Sequence, residues 1–138
     1  MQARNLKLHH IGIVVNSLVN HAAIYREFLG MTPDSPIFED PIQRVRVQFL
    51  KDSEGQLLEL LEPTAADSPV MRALAKGGGL NHLCYEVANI EDEVRTAVER
   101  GAIQIGEIVP AVALGGRRIA FLFLPRANLV EFVEALRK

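Results

Sequence analysis

The sequence predicts a single-domain α+β fold built from two copies of one unit, each running strand, helix, then strands. Three observations carry this prediction: short β-branched runs, two helical stretches that each stop at glycine, and a match of the chain with itself when His10 is aligned with His82. We call this displacement the repeat shift. Internal repeats are sought first because each copy is one supersecondary unit. We expect the first module to span about residues 5–75 and the second about residues 77–136.

The first module is defined by two changes of hydrophobic period. Apolar residues at helical spacing end at Gly30, a common position for glycine after a helix. A stretch that alternates polar and apolar side chains then leads through the turn-forming sequence DSEG at residues 52–55, so we expect a hairpin. The predicted elements are a strand (7–15), a helix (18–29), two hairpin strands (43–50 and 56–62), a short helix (70–75) and a glycine-rich loop (76–79).

The second module repeats this pattern. Its predicted elements are a strand (80–87), an amphipathic helix (90–100) and two further strands (116–124 and 128–134). Residues 44–62 align with residues 116–134 without a gap and share six identities in nineteen positions. The run 56–62 alone is compatible with helix, but its mate 128–134 follows a clear turn at 125–127, so we interpret both as strands.

Side chains alternate across a strand, and this alternation divides the candidate residues between two faces. One face is apolar and suits packing against the helices. The other is predicted to carry polar side chains among small and apolar ones, as the lining of a binding cup does. The polar residues assigned to that lining are His10, Arg44, Arg46, Gln48, Glu59, His82, Glu86 and Glu131.

Four of these residues predict a metal site. The repeat shift that carries His10 onto His82 also carries Glu59 onto Glu131. Imidazole nitrogens and carboxylate oxygens together suit Zn, Ni, Co, Mn or Fe(II). A pseudo-twofold relation between the modules maps one His–Glu pair onto the other, so a metal on that axis receives four ligands.

Repetition alone does not prove metal binding. Glu62 and Glu134 are related by the same repeat shift, yet they lie at strand ends with the opposite parity, which favours exposure to solvent. A single histidine in a strand is more often structural, and we assign His9 and His21 to that class. The matched spacing and parity of the four-residue set distinguish it from these cases.

Composition excludes several classes of protein. The formal net charge is −2 and tryptophan is absent, which argues against a nucleic-acid-binding surface. Cys84 is the single cysteine, so an intramolecular disulfide is impossible and a reducing compartment is expected. The N-terminal stretch has no long apolar segment and the apolar runs are strand-sized, so we expect a cytoplasmic protein without a membrane anchor.

The segments HHIGIVV, LLELLEPTAADSPV, GGGLNHLCYEV and GGRRIAFLFLPRANLVEFVE resemble the vicinal oxygen chelate superfamily. Within it they look most like methylmalonyl-CoA epimerases and their relatives. The resemblance implies two βαβββ modules that form an open, eight-stranded, barrel-like sheet around one divalent metal, with helices outside. It implies His10, His82 and Glu131 as ligands, with Glu59 at a fourth ligand position, a set also similar to that of glyoxalase I. It further implies a homodimer and a small-molecule substrate.

One departure from the epimerase pattern concerns the reaction. The epimerases carry a catalytic glutamate in a segment resembling P-E-x-G-V, where this chain has Pro41-Ile42-Gln43-Arg44-Val45. Ile42 stands at the place of the glutamate and cannot accept a proton. The fold and the metal are therefore expected, whereas methylmalonyl-CoA epimerase activity is expected to be weak or absent.

The sequence leaves three functions open. The first is a metal-dependent isomerase, epimerase or lyase acting on a small carbonyl compound, acid or acyl-CoA. In this function Glu131 or Glu59 moves a proton beside a metal-stabilised enolate. Glu39, Asp40 and Glu86 are lesser candidates for the base.

Three polar residues are predicted to bind the substrate of such an enzyme, namely Arg46, Gln48 and Arg118. The arginines would hold a carboxylate or a phosphate, since a guanidinium group binds either through paired hydrogen bonds. Exposure for solubility is the alternative explanation for both arginines.

The second function is an iron dioxygenase that uses His10, His82 and Glu131 as a facial triad. Glu59 counts against it, since a fourth carboxylate fills a position that oxygen needs. The third is a metal-free small-molecule-binding protein like the resistance proteins of the superfamily. The presence of all four ligand-type residues counts against that function.

Overall fold

The computed structural model describes residues 6–136, which form nine strands and three α-helices. The chain separates into two compact units. The first unit is His10–Asn81, and the second is residues 82–136 together with residues 6–9. Within the described range, no helix has both the length and the apolar character needed to cross a membrane.

The first unit is a sheet covered by one long helix. Its strand order is β2-β4-β5-β1, and β3 also pairs with β4. The strand pair β1/β5 is parallel, and the other pairs are antiparallel. The elements are β1 (Lys7–Val14), α1 (Leu18–Leu29), β2 (Thr32–Pro33), β3 (Phe38–Asp40), β4 (Val45–Lys51), β5 (Leu57–Pro63) and α2 (Met71–Ala75).

Local sequence explains the limits of α1. The Ser17 side chain accepts a hydrogen bond from the Asn20 backbone N–H, and Gly30 ends the helix at φ 67. The helix then packs on one face of the sheet, and this packing forms the core of the first unit. The buried members of that core are Val15, Leu18, Met31, Leu50 and Leu60.

The glycine-rich loop before the second unit is closely packed at one position. A Cβ atom on Gly78 would lie 2.7 Å from the Val14 carbonyl oxygen, and the backbone φ of Gly78 is +72. Only glycine allows both this approach and this backbone conformation without strain. Glycine at this position is therefore required both by the close packing and by the positive φ of the backbone.

The second unit repeats the plan of the first. Its strand order is β6-β9-β8-β7, with β6/β9 parallel and the remaining pairs antiparallel. A 3₁₀ helix, Val112–Leu114, precedes β8. The labelled elements are β6 (Gly79–Val87), α3 (Ile90–Glu99), β7 (Ile103–Pro110), β8 (Arg118–Phe123) and β9 (Leu129–Glu134).

Strand register confirms the repeat. In the first unit Glu59 lies beside Gly12 on β1 and beside Phe49 on β4. In the second unit the equivalent glutamate, on β9, lies beside Cys84 on β6 and beside Phe121 on β8. Each of these positions in one unit maps onto the other by the repeat shift. The α+β fold class and the strand–helix–strands modules predicted from the sequence are confirmed.

Candidate functional site

The first unit contains a buried pair formed by His10 and Glu59. His10 on β1 is 0% exposed, and its Nε2 lies 3.4 Å from Glu59 Oε1 on β5. Register explains the proximity, because Glu59 is beside Gly12, which shares a face of β1 with His10. The side chains of His10 and Glu59 thus meet on the face of the sheet opposite α1.

The second unit contains the same pair. His82 Nε2 on β6 lies 3.0 Å from Glu131 Oε1 on β9, and the two side chains are 0% and 4% exposed. Here Glu131 is beside Cys84, which again shares a strand face with the histidine. The two pairs share both their strand register and their burial. They are therefore equivalent features of the two units.

An aromatic ring supports each histidine. The ring centroids of His10 and Phe49 are 5.2 Å apart at an interplanar angle of 71°. Those of His82 and Phe121 are 5.4 Å apart at 88°. Edge-to-face contacts at such distances are a favoured arrangement of neighbouring rings. Sequence reasoning missed both phenylalanines as site residues, although the repeat shift that relates them was the available signal.

The chemistry of each pair suits a divalent metal. His10, Glu59, His82 and Glu131 are buried, and each offers one ligand atom of a kind that such ions bind. Two ligand atoms bound at roughly 2.0–2.2 Å from one ion lie about 3–3.5 Å apart. The Nε2–Oε1 separations of 3.4 and 3.0 Å agree with that spacing. Burying a carboxylate is costly without a positive partner, which a metal or a protonated imidazole supplies.

The predicted face of β4 is wrong. Alternation had placed Arg46 and Gln48 on the face of Glu59, but Arg46 pairs in register with Glu62, and Phe49 is the residue beside Glu59. The reason is the hairpin turn, whose length sets which parity on one strand meets which parity on the next. Arg46 and Gln48 therefore lie on the face opposite Glu59.

Both arginines are engaged by carboxylates. Arg46 Nη1 lies 3.1 Å from Glu62 Oε2. The Arg118 guanidinium donates hydrogen bonds to Glu134 and Glu91, and these hydrogen bonds raise its pKa. Alternation along β8 also places Arg118 on the face opposite Phe121.

Gln48 is engaged as well. Its Nε2 donates to the Ser35 carbonyl oxygen at 3.1 Å. The three side chains predicted to bind substrate, those of Arg46, Gln48 and Arg118, thus each contact other residues of the chain.

The turn between β3 and β4 holds Ile42. The Asp40 Oδ1 accepts hydrogen bonds from the backbone N–H groups of Ile42 and Gln43, at 2.9 and 3.0 Å. Arg44 follows at φ 54, a conformation that glycine adopts most readily, and it stands where the epimerase motif has glycine. The Ile42 side chain is 46% exposed. The turn is thus ordered by Asp40, and position 42 brings no acidic group to it.

Two other candidate bases, Glu86 and Glu39, lie in ion pairs with arginines. Glu86 Oε2 lies 2.7 Å from Arg117 Nη2, and Glu39 Oε1 lies 3.9 Å from Arg46 Nε. Both glutamates therefore have an arginine partner. Outside the pairs, the His21 Nδ1 lies 3.0 Å from the Ser17 carbonyl oxygen, which fits the structural role predicted for that histidine.

Comparisons with known proteins agree with this geometry. The sequence profile of the Glyoxalase/Bleomycin resistance protein/Dioxygenase superfamily matches residues 9–121. An ethylmalonyl-CoA/methylmalonyl-CoA epimerase from Cereibacter sphaeroides is 34% identical over 118 residues, covering 84% of this chain and 87% of that protein. The profile covers most of the chain, and the identity extends over most of both proteins.

Two solved structures share the fold. The methylmalonyl-CoA epimerase of Mycobacterium tuberculosis has a TM-score of 0.84 at 26% identity, covering 99% of this chain and 94% of that one. The Streptomyces coelicolor epimerase in complex with 2-nitronate-propionyl-CoA has a TM-score of 0.81 at 28% identity, covering 95% and 98%. Fold, paired His–Glu sites and sequence agree, and the chain belongs to the Glyoxalase/Bleomycin resistance protein/Dioxygenase superfamily.

Proposed function

We propose that this chain is a metal-dependent isomerase, epimerase or lyase that acts on a small acid, carbonyl compound or acyl-CoA through an enolate. The observation that carries the proposal is the buried His–Glu pair that recurs at the same register in both units. Relatives named for epimerase activity support the reaction class. Removal and return of a proton at carbon is the step that such a reaction requires.

The two pairs, in this proposal, bind one divalent ion through His10, Glu59, His82 and Glu131. Two imidazole nitrogens and two carboxylates suit any of the ions Co, Ni, Zn, Mn and Fe. A bound ion would act as a Lewis acid that lowers the free energy of a developing enolate oxygen. The fourth ligand, Glu59, makes this set less suited to an iron dioxygenase than to an isomerase.

Glu59 and Glu131 are the proposed proton-transfer groups. Each is buried beside its histidine, and burial strengthens the interaction of a carboxylate with nearby charge. Phe49 and Phe121 pack their ring edges against the imidazole rings of His10 and His82. In this proposal the two histidines and one glutamate would hold the ion, while the other glutamate, released from it, accepts the proton at carbon and returns it.

Ile42 limits the substrate. In the epimerase pattern a glutamate stands at this place, and in this chain the turn is formed without one. We therefore propose that the substrate is an acid or thioester with an acidic α-proton other than methylmalonyl-CoA. A homodimer and a cytoplasmic location remain predictions from the family resemblance and the composition.

Proton exchange tests the proposal directly. Metal-loaded protein is incubated in deuterated water with a panel of acyl-CoA thioesters, 2-oxo acids and 2-oxoaldehydes, and α-deuteration is followed by NMR. We expect one class to exchange at an enzyme-like rate, and a chelator to abolish that exchange. The proposal is refuted if metal-loaded protein accelerates no exchange across the panel, or if exchange survives complete removal of metal.

A further inference from the structure

A cavity in the second unit lies away from the His82–Glu131 pair. Its volume is about 520 Å³, within the range of pockets that hold small molecules. Val130 and Phe132 line it, and because side chains alternate along β9, they lie on the face opposite Glu131. The cavity is therefore separated from the His82–Glu131 pair by the sheet itself. Its apolar lining also includes Leu6, Tyr85, Ala97 and Leu124.

Two arginines complete the lining. Arg100 follows the last residue of α3, and Arg126 lies in the turn between β8 and β9. Among the described residues that line the cavity, none is acidic. Neither guanidinium forms an ion pair or hydrogen bond with another residue in the range 6–136. Arg46 and Arg118, in contrast, are both paired with carboxylates. The cavity thus combines apolar walls with two arginines that have no acidic partner within residues 6–136.

Arg126 occupies a position that does not favour arginine. The Ala127 backbone N–H donates to the Leu124 carbonyl oxygen, so Pro125 and Arg126 are the central residues of a turn. Arg126 has φ 64, and turns with proline first and a positive φ second take glycine at that second position. Residues with a strained backbone are concentrated at active sites and ligand-binding sites. The Arg126 side chain is one of those that line the cavity.

We propose that this cavity binds a medium-chain carboxylate, with its chain among the apolar side chains and its carboxylate between Arg100 and Arg126. Charge complementarity selects an anion, because both arginines lack acidic partners among the described residues. The apolar lining selects an alkyl chain, since burial of the chain removes it from water. Guanidinium groups bind carboxylates through paired hydrogen bonds, which fixes the orientation of the ligand.

Decanoate is the probe for this proposal. We expect saturable binding to the full chain, followed by ¹H–¹⁵N chemical-shift changes centred on Tyr85, Leu124 and Phe132. Arg126→Gly removes the guanidinium and relieves the positive φ, so Tm should be unchanged or higher while the Kd for decanoate rises about 3- to 10-fold. Arg100→Gln should raise the Kd by a similar factor. Arg95→Gln, on the same helix but outside the cavity, is the matched control and should leave Kd unchanged.

Uncharged 1-decanol has the same alkyl chain but no carboxylate, so it separates the contribution of the chain from that of the charge. We expect it to bind more weakly than decanoate. The proposal is overturned if decanoate does not saturate, if Arg126→Gly binds it as tightly as wild type, or if the shifts centre on His82 and Glu131. It is also overturned if size-exclusion chromatography shows that decanoate only dissociates a dimer, because a second copy would then be the natural occupant of the cavity.

Discussion

The two units keep one feature in common and differ in another, and the contrast separates the proposed metal ligands from the proposed reaction chemistry. Each has a buried His–Glu pair with a phenylalanine edge against the histidine, at positions related by the repeat shift. The segments before β4 and β8 differ. The first is an Asp40-ordered turn with Arg44 at φ 54, and the second is the 3₁₀ helix Val112–Leu114 followed by Gly115.

This difference separates the strands that hold the four proposed ligands from the segments that precede β4 and β8. A metal bound by both pairs, as proposed above, would depend on the repeated strands, because losing either pair would remove half of its ligands. The segments before β4 and β8 hold none of those ligands. Ile42 lies in the first of these segments, at the place where the epimerase pattern has its base.

The largest expected effect comes from the two glutamates. Glu59→Gln and Glu131→Gln each keep the shape of the side chain but remove its ability to accept a proton. We expect one variant to lose about 10²–10⁴-fold in kcat, the range typical of general-base catalysis, and the other to lose less. Single-turnover proton exchange with the metal-loaded variants measures this difference. Equal and small losses in both would show that neither glutamate moves the proton.

A second effect concerns position 42. Without a carboxylate there, exchange of the methylmalonyl-CoA α-proton should be slower than in an efficient epimerase by about 10²–10⁴-fold. We expect no gain from Ile42→Glu or its uncharged control Ile42→Gln, because the proposed substrate is not methylmalonyl-CoA. A gain with glutamate but not with glutamine would contradict this expectation and would show that the pocket still accepts methylmalonyl-CoA.

A smaller effect is expected at the aromatic supports. Phe49→Leu and Phe121→Leu remove the ring edges against His10 and His82 while keeping an apolar side chain. Aromatic pairs contribute about 0.5–1.5 kcal/mol beyond their buried area, so metal affinity should fall by a factor of about 2–12 in each variant. Metal titration monitored by calorimetry measures this change. Phe123→Leu, on β8 but 41% exposed, is the control and should bind metal normally.

The smallest effect is expected at Arg46. Its ion pair with Glu62 is partly exposed, and such pairs contribute about 0–1 kcal/mol. Arg46→Gln should therefore lower the free energy of unfolding by no more than about that amount and leave KM unchanged. Denaturant unfolding and steady-state kinetics check both points. A large rise in KM would restore Arg46 as a substrate-binding residue.

Much of the fold was predictable because the chain repeats itself. The limits of α1, Leu18–Leu29, match the prediction, since Ser17 and Gly30 are strong end signals. β7 was not predicted, because Ile103–Pro110 is an exposed strand with an irregular register and lacks a buried alternating face. The short strands β2 and β3 were also missed, since two or three residues carry no detectable period.

The candidate site was only partly predictable for a related reason. Spacing identifies His10 with His82 and Glu59 with Glu131, because identical positions in two copies have identical surroundings. It does not identify which face of β4 lies beside Glu59, since that depends on the length and geometry of the hairpin turn. Arg46 was placed on the wrong face for that reason, and the phenylalanine beside Glu59 was overlooked.

The central claim is that two equivalent His–Glu pairs bind one metal ion, and metal stoichiometry tests it most directly. Wild type, His10→Ala and His82→Ala are purified, loaded with Co, Ni, Zn or Mn, and dialysed before metal and protein are both quantified. The claim predicts one ion per chain in wild type and a substoichiometric content in both variants, one from each unit. Two ions per chain in wild type, or an intact ion in either variant, would contradict it and would show that each pair acts alone.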